Sequence, residues 1–360
     1  MPEPTPQAPP AAPPPRRFHI VSRAALKRLL ILFAIILAAL GYCWWSMLHM
    51  PGASYRGELP ALTQPQRALA DEMRSSVSVL SDAEGGVGRA GNRSTFYPKR
   101  FAESALWIKN QLHAYGYEEV HETPVERGSP VPNLEVILPG TSNPQEIIVI
   151  GAHYDAFQGT PGADDNASGV AACLSLARAF KASPQPRTLR FVFFVNEEPP
   201  AFWTPDMGSW VYAKKCRAAG DNIVAMLSLE SIGYYSDQPK SQKYPPPLNF
   251  AYPDRADFIA FVSDYSCRAL NKRAIASFRT HAKFPSEGGS PPGLMPGVGW
   301  SDHWSFSKEG YQAIMITDTA VFRNPNYHLP ADQVDTLDYE RMARVVEGVE
   351  AVIKDLARTE

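Results

Sequence analysis

The chain has 360 residues, of which 44% are hydrophobic and 20% are charged, and its formal net charge is -2. These values are typical of a globular protein with one large domain or two ordinary ones. A charge so close to zero lacks the basic excess with which nucleic-acid-binding domains attract phosphates, so we expect no nucleic-acid partner. The four cysteines have no CxxC spacing, which argues against a disulfide framework and a thiolate zinc site. Whether two of Cys173, Cys216 and Cys267 pair stays open.

The first segment of the chain is rich in proline. Residues 2–15 are mostly proline, alanine and glutamine, a composition that cannot form a core, and basic residues follow as far as Arg28. We therefore predict a disordered, basic tail over residues 1–28.

An apolar run without a charged residue occupies Leu29–Leu48. Roughly 20 helical residues cover the ~30 Å hydrocarbon core of a bilayer, so the run predicts a transmembrane anchor over residues 29–48. A cleaved signal peptide is the main alternative, but its apolar region has about 7 to 15 residues and ends in small residues. This run ends instead in aromatic residues that favour the membrane–water interface, namely Tyr42, Trp44 and Trp45.

The basic residues also predict the orientation of the anchor. Because they precede the apolar run, the positive-inside rule places the N-terminus in the cytoplasm and the rest of the chain outside it, in the periplasm or the extracellular space. Residues 49–65 are polar and turn-rich, and we predict that they form a stalk. Residues 66–360 then form the folded domain.

From Gln66 onward the apolar spacing is helical, and a second helix is expected across Phe101–Tyr115. Beyond it, strand and helix patterns alternate, which predicts an α/β fold with a central sheet flanked by helices. Four continuous apolar runs predict strands buried on both faces, and hence a mixed, mostly parallel sheet. These runs are 146–152, 189–195, 223–229 and 313–316.

Three of these runs end at, or next to, a residue that is able to bind a metal ion. His153 follows the first run, Glu197 and Glu198 follow the second, and Glu230 ends the third. In parallel sheets, ligands bind beyond the carboxyl ends of the strands. Taken singly, each residue has a plainer explanation as a hydrogen-bonded histidine or a solvated acid. The coincidence of three such endings favours a metal site.

Asp164 and Asp165, in the segment GADDNASG, and His328 extend this set, although the aspartates are also typical of a turn that caps a helix. Two divalent ions about 3.5 to 4 Å apart need a carboxylate between them to offset their repulsion. Each ion then needs a histidine and another carboxylate, a mixture that zinc accepts. Glu197 is left spare, and hydrolysis requires such a carboxylate as a base that takes a proton from metal-bound water.

Seven segments together resemble the M28 family of zinc aminopeptidases. They are GAHYDA (151–156), PGADDNASGV (161–170), VNEEPP (195–200), MGS (207–209), LSLESIG (227–233), SDH (301–303) and YHLPADQVDTLD (327–338). They occur in family order across about half of the chain. The resemblance implies a phosphorylase/hydrolase-like α/β fold of the zinc-exopeptidase type, a peptide substrate and two zinc ions.

The resemblance also implies a role for each matching residue. In GAHYDA, His153 matches a zinc ligand and Asp155 matches the acid that orients its imidazole. In NEE, Glu197 matches the general base. The implied ligands of one ion are Asp165, Glu198 and His328, and those of the other are Asp165, His153 and Glu230, with Asp165 as the bridge.

One position departs from the family pattern. Two-zinc aminopeptidases of this family usually carry aspartate where this chain has Glu230. Glutamate is one methylene longer and is still able to reach the metal, so two ions remain the expectation. In the alternative, Glu230 is a buried structural acid and one zinc ion binds.

Other functions stay open beside the aminopeptidase. A glutaminyl cyclase-like enzyme on the same fold would use a single zinc ion, and a non-catalytic ectodomain would only bind a protein partner. Ser301, Asp302 and His303 are adjacent and therefore cannot form a Ser-His-Asp triad, whose members come from separate segments. Residues 285–300, rich in glycine and proline, predict a loop over the site. The oligomeric state and the natural substrate are not determined.

Overall fold

The computed structural model describes residues 22–81, 93–125 and 131–358, together with residues 1, 3 and 11. Most of the predicted tail over residues 1–28 lies outside these ranges. The chain divides into two compact units, Met1–Ser46 and Met47–Glu360.

The helix α1 spans Arg23–Leu48 and so begins upstream of the predicted anchor. It is long and apolar enough to cross a membrane, by length and composition. Its leucine and isoleucine side chains are exposed as far as Leu40. An apolar surface of this kind suits a lipid environment better than water.

Within the described ranges, the second unit contains one sheet of eight strands in the order β1-β2-β4-β3-β5-β8-β6-β7. The strands are β1 (His121–Thr123), β2 (Asn133–Leu138), β3 (Asn143–His153), β4 (Arg187–Phe194), β5 (Asn222–Glu230), β6 (Ile259–Val262), β7 (Ser286–Gly289) and β8 (Ala313–Thr317). Strands β4, β3, β5 and β8 run parallel to one another, as do β6 and β7, whereas β2 is antiparallel to β4 and β6 to β8. The prediction of a mixed, mostly parallel sheet is confirmed.

The four predicted strands correspond to β3, β4, β5 and β8, the parallel block at the centre of the sheet. Successive residues of β3 show why their sequences are apolar throughout. Ile148 and Ile150 pack into one hydrophobic cluster, and Ile147 and Val149 pack into another on the opposite face. Because the strands are parallel, their carboxyl ends meet at one edge of the sheet.

Helices cover both faces. They are α2 (Gln64–Ser81), α3 (Pro98–Ala114), α4 (Gly169–Lys181), α5 (Gly208–Ala219), α6 (Arg268–His281), α7 (His303–Lys308) and α8 (Tyr339–Ala357). Helices α2, α3, α4, α6 and α8 contribute to the larger cluster, and α5 and α7 contribute to the smaller one. Cys173, Cys216 and Cys267 are buried as free thiols, so the structure shows no disulfide among them.

Two segments differ from the sequence-based expectation. The second unit begins at Met47 and includes the residues predicted to form a stalk, because α6 binds them: Arg279 donates hydrogen bonds to the carbonyls of Pro51 and Gly52. Residues 285–300 are not wholly a loop, since Ser286–Gly289 form the edge strand β7 beside β6. The remainder of that segment is irregular, as its proline and glycine content predicts.

Candidate metal centre

The five predicted ligands come together at the carboxyl edge of the parallel block. His153 is the last residue of β3 and Glu230 the last residue of β5. Glu198 follows β4, Asp165 lies in the turn before α4, and His328 lies between β8 and α8. All but His328 are buried, and His328 is partly buried. Strand ends therefore supply three of the five side chains, and loops supply the others.

The side chains form two groups that share Asp165. In one group, His153 Nε2 lies 3.3 Å from Asp165 Oδ1 and 3.2 Å from Glu230 Oε2. In the other, His328 Nε2 lies 3.0 Å from Asp165 Oδ2 and 3.3 Å from Glu198 Oε1. Asp165 thus presents one oxygen to each group, the arrangement required of a bridging carboxylate.

The donor atoms fit a divalent metal ion. Within the described part of the chain, three buried atoms of the two groups have no hydrogen-bond partner: Nε2 of His153, Nε2 of His328 and Oε1 of Glu198. A buried polar atom without a partner costs about 1–3 kcal/mol, which coordination of a cation removes. Imidazole nitrogens and carboxylate oxygens in groups of three match the ligands that zinc takes.

Asp155 holds the acidic pair that follows β4. Its two carboxylate oxygens accept the backbone N–H groups of Glu197 at 3.2 Å and Glu198 at 3.0 Å. The same carboxylate lies 3.5 Å from His153 Nδ1. Asp155 therefore fixes both acids in addition to facing the imidazole, a contact that follows from the parallel pairing of β3 and β4.

Comparison with known proteins identifies the family of this chain. The sequence profile of peptidase family M28 matches residues 133–353. The chain belongs to peptidase family M28. It is therefore an enzyme, a hydrolase of the exopeptidase type.

Two curated relatives of this M28 peptidase cover most of its length. Uncharacterized protein YfbL of Escherichia coli (strain K12) is 38% identical, over 79% of this chain and 88% of the relative. A probable leucine aminopeptidase of Arthroderma otae is 25% identical, over 70% of this chain and 68% of the relative.

Solved structures share the fold. LapB from Legionella pneumophila matches with a TM-score of 0.64 and 22% identity, covering 85% of this chain and 79% of that chain. A glutaminyl cyclase from Bacteroides thetaiotaomicron, bound to N-acetylhistamine, matches with a TM-score of 0.58 and 18% identity, covering 79% of this chain and 97% of that chain. At these identities the likeness shows the architecture alone.

Burial acts on the pKa values of the acids at the site of the M28 peptidase. It raises the pKa of Glu197 well above its usual range and that of Glu198 to about 7. Burial acts in the same direction on Asp165, but the nearby imidazole rings of His153 and His328 outweigh it and lower the pKa of that carboxyl. Several carboxylates buried together favour the binding of a cation, because the cation offsets their mutual repulsion.

Three non-glycine residues at this site adopt the left-handed backbone conformation. Asn196 has φ 58°, Ser231 has φ 44° and His328 has φ 57°. Asn196 precedes Glu197, and Ser231 follows Glu230. Such conformations cost of order 1–3 kcal/mol each and cluster at functional sites.

Sequence reasoning missed two positioning residues. Asp332 accepts the backbone N–H groups of Asp164 at 2.9 Å and Asp165 at 3.2 Å, which ties the segment of His328 to that of Asp165. Arg93, fully buried, donates to the carbonyls of Leu80, Tyr154, Pro161 and Gly162. Asp332 lies within the motif YHLPADQ, so its motif was recognised but not its role. Arg93 has no local pattern that would have revealed it.

The SDH segment separates into two parts in the structure. Ser301 faces Glu230, and Asp302 is buried close enough for Glu230 and His153 to affect its pKa, which burial raises to about 7. His303 Nε2 instead lies 2.7 Å from the carbonyl oxygen of Val298, to which it donates. The three residues form no triad, as expected from their adjacency.

A cavity of about 120 Å³ opens beside Glu230. Its lining is mainly apolar and includes Phe258, Val262, Val298, Trp300, Met315 and Phe322. Tyr327, which precedes His328, also lines it. Residues 285–300, which the sequence predicts to lie over the site, contribute to this wall.

Proposed function

We propose that the M28 peptidase is a zinc-dependent aminopeptidase that hydrolyses the N-terminal peptide bond of peptides. Asp165, Glu198 and His328 would hold one zinc ion, and Asp165, His153 and Glu230 the other. The observation that carries this proposal is the sharing of Asp165, whose two oxygens face two separate histidines at 3.3 and 3.0 Å. Bound zinc would supply Lewis acidity that polarises the substrate carbonyl and acidifies a water molecule.

Glu197 is the proposed general base. Its Oε2 lies 3.9 Å from His153 Nε2, and it belongs to neither ligand group. Asp155 fixes its backbone N–H, so the side chain is held beside the centre without being a ligand. In that position Glu197 takes a proton from the attacking water and returns it to the leaving nitrogen.

The apolar cavity would accept the side chain of the first substrate residue. It opens against Glu230 and Tyr327, so a side chain inside it places the following peptide bond near the two ligand groups. A relative is described as a probable leucine aminopeptidase. Leucine and other large apolar residues suit a cavity of this lining.

Replacement of Glu197 by glutamine tests the proposed mechanism. The variant keeps the shape of the side chain but has no basic carboxylate, so we expect normal zinc content and a kcat lower by about 10²–10⁴-fold on a leucine p-nitroanilide. Glu350→Gln on α8 makes the same charge change away from the site and serves as the control. Near-normal turnover by Glu197→Gln would overturn the assignment.

A glutaminyl cyclase-like enzyme with one zinc ion is the second candidate, since such an enzyme shares the fold. The two ligand groups around Asp165 favour the aminopeptidase. Elemental analysis and an assay on a peptide with N-terminal glutamine distinguish them. One zinc per chain with pyroglutamate as product would support the cyclase, whereas two zinc ions with free glutamine as product would support the aminopeptidase. A non-catalytic ectodomain would have lost metal ligands or the base, whereas this chain keeps a candidate residue at each of these positions.

We also propose that α1 anchors the enzyme in a membrane, with residues 1–28 in the cytoplasm and the catalytic domain outside. Arg23, Lys27 and Arg28 precede the apolar part of the helix, and aromatic residues lie at its end. Sodium carbonate extraction of cell membranes tests the anchor, and protease treatment of intact cells tests its orientation. Release of the protein by carbonate would contradict the anchor. Protection of the catalytic domain from a protease added outside the cytoplasmic membrane would contradict the orientation.

A further inference from the structure

The last residues of helix α1 and those that follow it are bound along the edge of the sheet. We call residues 47–59 the strap. The Met47 carbonyl accepts the N–H of Ser290 at 2.8 Å, and Ser54 Oγ accepts the N–H of Ser286 at 2.9 Å. Arg279 of α6 donates to strap carbonyls as well, including that of Pro51 at 2.9 Å. The strap is therefore part of the catalytic unit and lies beside β7.

One strap residue reaches a residue that lines the cavity. Arg56 Nη2 lies 2.6 Å from Glu287 Oε1, and Glu287 belongs to the wall of the apolar cavity. The Glu287 side chain is 14% exposed, and burial raises the pKa of its carboxyl, an effect that Arg56 opposes. Tyr244 and Tyr252 also line the cavity, and both are close enough to Glu287 for its charge to affect their pKa. The wall thus contains the carboxylate of Glu287, and Arg56 of the strap compensates its charge.

The charges around Glu287 are unequal. Arg56 is in direct contact with it, and Arg279 Nη2 is 4.0 Å from its other oxygen. Arg279 is also engaged with Ser286 and with the strap carbonyls. Two cations therefore face one anion, so the carboxylate of Glu287 offers a positively charged substrate side chain no uncompensated charge. An apolar side chain has no such disadvantage.

We propose that Arg56 is a specificity-determining residue, which neutralises Glu287 from the strap and so makes the cavity select apolar over basic N-terminal side chains. This inference rests on the proposed aminopeptidase function. Without Arg56, Glu287 would keep only the more distant Arg279, and the ammonium group of a lysine side chain would gain a partner. Without Glu287, the wall would become more positive and would reject lysine further.

The test uses the full-length, zinc-loaded enzyme in detergent at pH 8. The values of kcat/KM on leucine and lysine p-nitroanilides give a lysine-to-leucine ratio for each variant. Because one partly exposed ion pair changes, we expect Arg56→Gln to raise this ratio about three- to ten-fold, and Glu287→Gln to lower it. Arg100→Gln removes an arginine from an exposed ion pair on α3 and should leave the ratio unchanged.

Two further variants make the outcome decisive. Arg56→Lys keeps the charge and should retain a ratio close to that of the wild type, whereas Arg56→Gln/Glu287→Gln should lose the rise seen in Arg56→Gln. An unchanged ratio in Arg56→Gln, or the same rise in the double variant, would overturn the role of Arg56. If Arg56→Gln does not fold, an unchanged ratio in Glu287→Gln overturns it instead. Wild-type enzyme that hydrolyses neither substrate would overturn the proposed function itself, which separates the two failures.

Discussion

Ser301 Oγ donates a hydrogen bond of 2.8 Å to Glu230 Oε2, the oxygen that lies 3.2 Å from His153 Nε2. Ser231 Oγ donates to the other oxygen of Glu230 at 3.0 Å, and Ser228 Oγ lies 2.9 Å from Ser301 Oγ. Glutamate has one more rotatable bond than the aspartate usual at this position of the family. The serines fix that longer side chain, so Glu230 is held in place for its proposed role as a ligand.

Replacement of Ser301 by alanine should therefore weaken zinc binding by the group of His153 and Glu230. Loss of a residue that positions a ligand typically costs 10–100-fold in metal affinity, and we expect about ten-fold because Ser231 remains. Zinc content at a series of buffered free-zinc concentrations measures the effect. The control is Ser305→Ala, which removes a buried hydroxyl paired with Ser209 instead. Unchanged affinity for both ions would show that Ser301 does not position Glu230.

Asp332 should matter to both ligand groups, because its carboxylate holds the backbone of the shared ligand Asp165. We expect Asp332→Ala to lower zinc affinity about 10–100-fold, and Asp332→Asn, which keeps one acceptor oxygen, to lower it less. Isothermal titration of the zinc-free protein measures both affinities. Asp335→Ala, in the same segment but exposed and paired with Arg74, should bind zinc normally. Equal affinities for the two Asp332 variants and the wild type would argue against this role.

Removal of zinc should lower the Tm. Because several buried atoms at the site have no partner in the described chain, the folded state gains free energy from the ion: about 2.7 kcal/mol at a free concentration 100 times Kd. Thermal unfolding with and without zinc measures this difference. His328→Ala should lose part of the shift, while His281→Ala, whose ring pairs with Asp355 on the surface, should keep it. A shift of equal size in both variants would contradict the assignment of His328.

His303 should make the metal-free protein less stable in acid. Burial lowers its pKa to about 4, since Nδ1 has no partner among the described residues. In the unfolded chain His303 has an ordinary histidine pKa of ~6.5. Between these two pKa values the histidine is therefore protonated in the unfolded chain but not in the folded chain. Its contribution is constant above pH ~6.5, and about 3 kcal/mol of stability is lost as the pH falls to about 4.

The variant His303→Gln isolates this effect, because glutamine does not titrate and its amide is able to donate to the Val298 carbonyl. Urea unfolding at pH 7 and pH 5 gives the free energy of unfolding of each protein. We expect the loss between the two pH values to be smaller in His303→Gln than in the wild type by one to two kcal/mol, the share of the shift within that range. His281→Gln, an exposed histidine, is the control. Equal losses in all three would mean that His303 is protonated in the folded state.

The sequence by itself determined the parallel block of the sheet and the residues at its carboxyl ends. Continuous apolar runs predicted β3, β4, β5 and β8, because strands buried on both faces have no polar alternation. The candidate ligands were found for a similar reason: each stands at a strand end or within a short motif, and parallel pairing brings strand ends together. The apolar run of α1 was also recognised from the local sequence, although the start of the helix at Arg23 was not.

Only the tertiary structure decided which side chains hold those ligands in place. Ser301 reaches Glu230 across 71 positions of sequence, and Asp332 reaches Asp165 across 167. The contact of Arg56 with Glu287 spans 231 positions. A hydrogen bond between distant segments leaves no periodicity in either of them, so no local pattern reveals it. The sequence therefore specified the chemistry of the site, and the packing of distant loops specified its support and the charge of its cavity wall.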